Sequence, residues 1–163
     1  MNTMKLLFGL TFTTALATGL MAGVFFAFST FVMKALGRIP AAEGISAMQS
    51  INVVVERSGF LVVFLGAAVT CIALAILSFW RLGSHSGWFV LAGAAVYLLG
   101  CIAVTMIFNV PMNNALATMP AADAATATYW TKTYLRDWMF WNHVRTLACL
   151  LSSGLLTWAL RSS

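Results

Sequence analysis

The chain has 163 residues and a mass of 17.6 kDa, and 61% of its residues are hydrophobic, 8% are charged and the mean hydropathy is +0.93. A water-soluble domain has about 25% charged residues, so this composition excludes a soluble globule, and it is too apolar for a disordered chain. Nine Lys and Arg against four Asp and Glu give a net charge of +5, but the basic residues are scattered. Nucleic-acid binding needs a basic patch, so we expect no nucleic-acid partner. Because so few residues are charged, we expect the protein to lie in a lipid bilayer.

Four long runs of the sequence, of which only the last contains a charged residue, predict four transmembrane helices in a single domain. Each run is near or above the roughly 20 residues that a spanning helix needs. The predicted spans cover residues 6–33, 58–80, 87–109 and 139–160. The first run follows Lys5 as a secretion signal would, but it is longer than the roughly 7 to 15 residues of a signal-peptide core, so we expect it to remain attached.

Glycine and proline residues mark the predicted ends of these helices. Gly37 and Pro40 close the first span and open a short segment, and the stretch 83–87 predicts a tight hairpin between the second and third spans. Pro111 is expected to end the third helix, because proline has no backbone N–H and its ring clashes with the preceding turn. Pro120 is expected to start the next helix.

Four spans place both termini and the hairpin at residues 81–87 on one side of the membrane. The long connections 34–57 and 110–137 then lie on the other side. The hairpin side carries three Lys and Arg residues, whereas the long connections carry five together with all four acids. By the positive-inside rule, the long connections are predicted to face the cytoplasm.

Both long connections have the periodicity of helices. Between Pro40 and Glu56 apolar residues recur at helical spacing, while Gln49, Asn52 and Glu56 share another face, which predicts an amphipathic helix at the membrane interface. In the second connection the aromatic residues are Trp130, Tyr134, Trp138 and Trp141. Their spacing of three or four and their position are typical of a membrane interface. The sequence thus predicts an all-α integral membrane protein, an antiparallel four-helix bundle with two interfacial helical connections on one side.

The third predicted helix ends in a segment rich in amides. Asn109, Asn113 and Asn114 surround Pro111, and Tyr97 lies on the same helical stripe as Asn109. Amide side chains are costly in lipid unless they are satisfied. Two interpretations are open: the amides cap the helix and bond the carbonyls freed by Pro111, or they contribute to a polar site.

The last predicted helix has a small or polar face that is expected to point into the bundle. At 100° per residue, five of its side chains fall within about 80° of one another. They are Trp138, Asn142, Arg145, Cys149 and Ser152. Two interpretations of Arg145 are open. It snorkels toward the near interface, or it is a buried cation that is paired with Glu56 or Asp137. Asn109 and Asn113 are the alternative partners for a buried cation.

His143 points away from this polar face. It is turned from Arg145 by about 160° and shares its side of the helix with apolar residues such as Met139 and Leu147. This position predicts a lone histidine on the lipid or interface side.

Several chemistries lack the residues that they need. Cys71, Cys101 and Cys149 lie singly in mid-helix, so they are interpreted as small apolar residues and no thiol relay is expected. His85 and His143 are predicted on opposite sides of the membrane, which excludes haem held by two histidines and leaves open only haem with a single protein ligand. The sequence also has no histidine and carboxylate cluster, no glycine-rich phosphate loop and no mid-span carboxylate. We therefore expect no metal and no cofactor.

Four motifs, which agree in order and spacing, resemble the anthrone oxygenase family. They are Phe28-Ser29-Thr30, Met48-Gln49-x-x-Asn52, Phe108-Asn109-Val110-Pro111-Met112-Asn113 and Trp141-Asn142-x-x-Arg145-Thr146. The resemblance covers almost the whole chain. It implies oxidation of anthrones to anthraquinones by molecular oxygen without a metal or flavin, although most bacterial relatives have no assigned reaction. It also implies residence in a bacterial cytoplasmic membrane.

Such chemistry needs an apolar pocket, a base for an acidic C–H and a positive group beside the resulting oxyanion. Arg145 and Asn142 are expected to stabilise the oxyanion, and His143 and Glu56 are the candidate bases. The expected substrate-binding residues are Asn109, Asn113, Asn52, Gln49, Trp138, Trp141 and Tyr97. The expected ligand is an aromatic or quinone-like small molecule. Two other classes stay open: a protein that binds or transports a small molecule or lipid, and a structural membrane protein.

Overall fold

The computed structural model describes residues 3–79 and 84–161, and all regular structure within them is helical. There are five helices in this part of the chain. They are α1 (residues 3–36), α2 (Ala41–Val55), α3 (Gly59–Phe79), α4 (residues 85–117) and α5 (residues 124–161). The all-α prediction is confirmed. The predicted hairpin at residues 81–87 lies partly outside the described residues.

Three of these helices contain π-helical turns, which are wider than α-helical turns. The π segments are Phe28–Val32 in α1, Leu98–Ala103 and Thr105–Asn109 in α4, and Trp130–Trp138 in α5. Pro111 directly follows the second π segment of α4, and the helix continues to Ala117. The prediction that Pro111 ends the third helix is therefore wrong. The wider turns before it relieve the clash between the proline ring and the preceding carbonyl.

Local hydrogen bonds account for two helix starts. Ser84 Oγ accepts a hydrogen bond of 3.2 Å from the backbone N–H of Gly87 and so caps the start of α4. α5 begins at Ala124, because residues 120–123 form a turn in which the N–H of Asp123 donates to the carbonyl of Pro120. The prediction that Pro120 itself starts the helix is wrong by four residues.

The Met139–Arg161 part of α5 lies along α1, and the two helices run in opposite directions. Near one end, Ser153 Oγ donates to the carbonyl of Ala15 at 2.9 Å. Near the other end, Asn142 Nδ2 donates to the carbonyl of Phe25 at 2.7 Å. Side chains that bond a neighbouring backbone in this way hold two apolar helices in register.

The same part of α5 lies along α4 on its other side. Ser152 Oγ donates to the carbonyl of Gly93 at 2.8 Å. Further along, a Cβ added at Gly100 would lie 2.6 Å from the Cβ of Ala148, so the two backbones approach closely only because residue 100 is glycine. α3 packs against both α4 and α1.

Within residues 3–79 and 84–161, three helices are long and apolar enough to cross a membrane, namely Met4–Leu36, Gly59–Phe79 and Ser86–Ala117. They correspond to the first three predicted spans and indicate an integral membrane protein. The fourth predicted span, residues 139–160, is not among them. It carries more polar side chains, and its asparagine, arginine and first serine are buried against the other helices.

The two long connections pack on each other at one end of the long helices. Their shared core, the end cluster, consists of Met33, Ile45, Met48, Leu116, Trp130, Tyr134 and Trp138. The three aromatic rings are at most 5% exposed. They are covered by α2 and the ends of α1 and α4, so these three rings pack within the protein instead of facing lipid. α2 lies directly on the end of α1, since a Cβ at Gly44 would lie 2.5 Å from the carbonyl oxygen of Leu36.

Candidate functional site

A cavity of about 230 Å³ lies beside the end cluster, and all five helices contribute to its lining. One water needs only about 10–15 Å³, so this volume accommodates a much larger molecule. Its walls are mainly apolar and include three phenylalanines in mutual contact. Phe25 meets Phe60 and Phe64 edge to face at 6.0 and 6.4 Å, and Phe60 stacks on Phe64 at 5.6 Å between centroids. Such walls suit an apolar aromatic ligand.

Arg145 contributes a buried cation to the cavity lining and is only 5% exposed. Its Nη2 donates to Asn142 Oδ1 at 2.7 Å, and its Nη1 donates to Thr105 Oγ1 at 3.3 Å. The guanidinium carbon lies 4.4 Å from the centroid of Phe25 and 5.2 Å from that of Trp138, within the range of cation–π attraction. Arg145 Nε is buried without a hydrogen-bond partner.

Among the described residues, no carboxylate pairs with Arg145. The ion pair found among residues 3–79 and 84–161 joins Arg136 to Asp137. The snorkelling interpretation is wrong because the side chain is buried, and pairing with Glu56 or Asp137 is wrong as well. A cation held by hydroxyl, amide and aromatic groups keeps its positive charge available for a ligand.

Asn142 links the Arg145 side chain to α1 through hydrogen bonds. Its Nδ2 donates to the carbonyl of Phe25 and to Ser29 Oγ, each at 2.7 Å, while its Oδ1 accepts from Arg145. Both amide hydrogens are therefore used within the protein. Asn142 does not line the cavity, so the geometry makes it a positioning residue for Arg145.

Asn113 lines the cavity and organises two aromatic donors. Its Oδ1 accepts hydrogen bonds of 2.8 Å from both the Tyr134 hydroxyl and Trp138 Nε1. Burial raises the pKa of the Tyr134 hydroxyl above its ordinary value, so the phenol stays protonated and donates. Asn109 lies outside the cavity lining, where its Nδ2 donates to the carbonyl of Trp138 at 3.1 Å and its Oδ1 is buried without a partner.

The polar face of α2 divides between the cavity and the end cluster. Asn52 and Glu56 line the cavity; Glu56 is exposed at its rim, and Asn52 Nδ2 is buried without a hydrogen-bond partner. Gln49 instead donates to the carbonyls of Leu116 and Met119 at 2.8 and 2.9 Å. Its contacts are structural, since they tie α2 to the end of α4.

Besides Asn142, Asn109 and Gln49, three further predicted site residues lie away from the cavity. His143 is exposed on the outer side of α5, as its helical position predicts. Tyr97 is fully buried in the core, where its hydroxyl donates to the carbonyl of Phe64 at 3.0 Å. Trp141 stacks on Phe108 with centroids 3.5 Å apart. Tyr97 and Trp141, which were predicted as pocket walls, therefore do not line this cavity.

Sequence reasoning missed the phenylalanine walls and Thr105. Phe60 and Phe64 are four residues apart and close to Glu56, but many lipid-facing phenylalanines have the same spacing. Ser29 belongs to the first family-like motif, and its role in holding Asn142 becomes visible only when α1 and α5 are brought together.

In the described part of the chain, no three His, Cys, Asp or Glu side chains are grouped closely enough to hold a metal ion. A family model described as Anthrone oxygenase matches residues 60–155. No curated protein and no solved structure matches the chain. The matched range includes Asn113, Trp138, Asn142 and Arg145, whereas the α2 face with Asn52 and Glu56 precedes it.

Proposed function

The chain belongs to the anthrone oxygenase family, and from this premise we propose that its cavity binds an anthrone-like phenolic ketone and oxidises it with molecular oxygen without a resident cofactor. One observation carries the proposal: Arg145 is a buried cation at an apolar cavity and has no carboxylate partner in the described part of the chain. A fixed positive group in water-poor surroundings is what an enolate oxygen needs.

The proposed reaction begins with the loss of a proton from the CH₂ group of the ketone, which places negative charge on the ketone oxygen. The carbanion passes one electron to O₂, and the two radicals combine to a hydroperoxide at the same carbon after protonation. Loss of water from the hydroperoxide forms the second carbonyl. One oxygen atom thus remains in the quinone, the other leaves as water, and O₂ accepts all four electrons.

We assign the residues around the cavity to separate roles. Arg145 stabilises the enolate oxygen, and Asn142 positions Arg145. Glu56 accepts the proton, because it is the carboxylate in the cavity lining and its exposure at the rim lets it exchange that proton with water. The side-chain amide of Asn52, which lines the cavity and also interacts with the Tyr134 hydroxyl, donates to a further ligand oxygen. His143 has no direct role, since it lies on the outer side of α5.

We also propose that Met139–Arg161 crosses the membrane as a fourth span, which completes an antiparallel four-helix bundle with both termini on one side. Its 23 residues are long enough, at 1.5 Å each, to cross a hydrocarbon core of about 30 Å. Asn142, Arg145 and Ser152 are buried on the inner side, while the outward residues Leu147 and Leu150 are apolar and exposed. A polar helix of this kind suits a membrane when its polar face is covered by its neighbours.

Oxygen uptake by the purified protein in lipid nanodiscs tests the oxygenase proposal. With anthrone as substrate and EDTA present, we expect uptake above that of protein-free nanodiscs and formation of one anthraquinone for each O₂ consumed. Loss of the activity on chelation would contradict the cofactor-free mechanism. No uptake with a panel of hydroxylated anthrones would contradict the oxygenase assignment and favour a protein that binds or transports a ligand in this cavity.

A further inference from the structure

The cavity reaches the outer surface of the helices between α3 and α4. Leu65 of α3 and Met106 of α4 both line it, and their side chains are 49% and 59% exposed. Each residue therefore has one side toward the cavity and another toward the surroundings. Both lie within segments that are long and apolar enough to span a membrane, Gly59–Phe79 and Ser86–Ala117.

A local separation of the two helices produces this opening. α3 packs closely against the first part of α4, His85–Tyr97, much less against Leu98–Ala103, and makes no substantial contact with residues 105–117. α2 contacts both α3 and the 110–117 part of α4, and so covers the end of this gap. Leu65 is six residues from the start of α3, so the opening lies about 9 Å along that helix.

The outer surface around the opening is apolar. Val62 and Val69 on α3 and Ile107 on α4 are 75%, 65% and 61% exposed. Such a surface faces lipid in a spanning helix. Inside, the cavity presents the Arg145 cation and the side-chain amide of Asn52. A molecule on this route therefore passes from an apolar outer surface into a cavity that contains a positive charge and an amide donor.

We propose that the ligand enters sideways from the bilayer, through the gap flanked by Leu65 and Met106. The route admits a flat, membrane-soluble weak acid that is neutral in lipid and whose oxygen becomes negative beside Arg145, because a charged ligand is strongly disfavoured in the hydrocarbon region. The chemical class of the ligand rests on the proposed function. The route itself rests on the position of the gap.

Binding kinetics in nanodiscs test this route with 1,8-dihydroxyanthraquinone, a stable probe that is followed by its own fluorescence. The variants Leu65→Trp and Met106→Trp narrow the gap with a larger side chain. Ile76→Trp and Leu99→Trp are matched controls, since both residues are exposed on the same two helices, neither lines the cavity and Ile76 lies three turns from Leu65. Vesicles loaded with the probe supply it through the lipid phase.

We expect Leu65→Trp and Met106→Trp to slow both association and dissociation by tenfold or more, with Kd unchanged within about twofold, and the control variants to behave like the wild type. An entrance changes both rates together, whereas damage to the site raises Kd. Unchanged rates in both gap variants, or no binding by the wild type, would overturn the route. Oxygen uptake with anthrone, measured separately, distinguishes the two proposals: probe binding that is slowed in the gap variants supports the route even if the wild type oxidises nothing.

Discussion

At the scale of single residues, Arg145 combines two properties that rarely occur together. It is buried, and its hydrogen-bond partners are the neutral groups Asn142 and Thr105. A buried charge without a counter-ion lowers stability, so its presence in an otherwise apolar region indicates a functional use. The two aromatic rings beside it offset part of that desolvation cost.

We expect Arg145→Ala to lower kcat/KM for anthrone oxidation by tenfold or more, which corresponds to a loss of about 1.4 kcal/mol of transition-state stabilisation. Asn142→Ala should have a similar effect, because it releases Arg145 from α1. Since Asn142 acts through Arg145, the double variant should be no worse than Arg145→Ala alone. Steady-state oxygen uptake measures all three variants, with Arg161→Ala at the chain end as the control. Additive losses in the double variant would mean that Asn142 contacts the substrate itself.

Glu56→Gln should lower kcat by about a hundredfold, the scale of a lost general base. Glu43→Gln is the matched control, because Glu43 is the other exposed glutamate of this connection and does not line the cavity. His143→Ala should leave kcat unchanged. A large loss in His143→Ala together with a fully active Glu56→Gln would reverse the assignment of the base.

At the scale of helices, the start of α5 and the end of α4 are joined by one amide. Asn113 Oδ1 is the acceptor for the Tyr134 hydroxyl and Trp138 Nε1, two donors on side chains that are at most 5% exposed. Both aromatic residues belong to the π-helical segment Trp130–Trp138 of α5. Helix contacts of this kind depend on a few polar bonds, because apolar packing alone does not distinguish a neighbouring helix from lipid.

Asn113→Ala should lower the thermal stability of the detergent-solubilised protein, because it leaves two buried donors without an acceptor. Each such donor costs about 1–3 kcal/mol. Asn114→Ala is the control, since Asn114 is the next residue and is exposed. Melting temperatures followed by circular dichroism compare the two variants. Equal melting temperatures would show that the Asn113 bonds contribute nothing to the helix contact.

At the scale of the whole molecule, the proposed fourth span decides the topology. Reporter fusions at residues 1 and 163 should lie on the same side of the membrane, and a reporter inserted at residue 122 should lie on the opposite side. If α5 does not cross, the reporters at residues 122 and 163 should agree instead. The side on which residue 122 lies also tests the prediction that the long connections face the cytoplasm, which rests on five basic residues against three.

The sequence alone determined the helical, membrane-embedded class and the inward face of α5. Both follow from local properties: apolar length sets a span, and the 100° step of a helix fixes which side chains share a face. Asn142, Arg145 and Ser152 are accordingly buried and His143 is exposed. The family-like motifs also pointed to the family that the match over residues 60–155 supports.

Only the tertiary structure decided which inward-facing residues meet the cavity. Tyr97 and Arg145 are both buried, yet Tyr97 bonds the carbonyl of Phe64 within the core while Arg145 reaches the cavity. Periodicity specifies a direction from the helix axis but not what a neighbouring helix places there. The bond from Asn142 to Phe25 joins residues 117 positions apart, so the position of Arg145 depends on how α1 and α5 pack, which no local pattern contains.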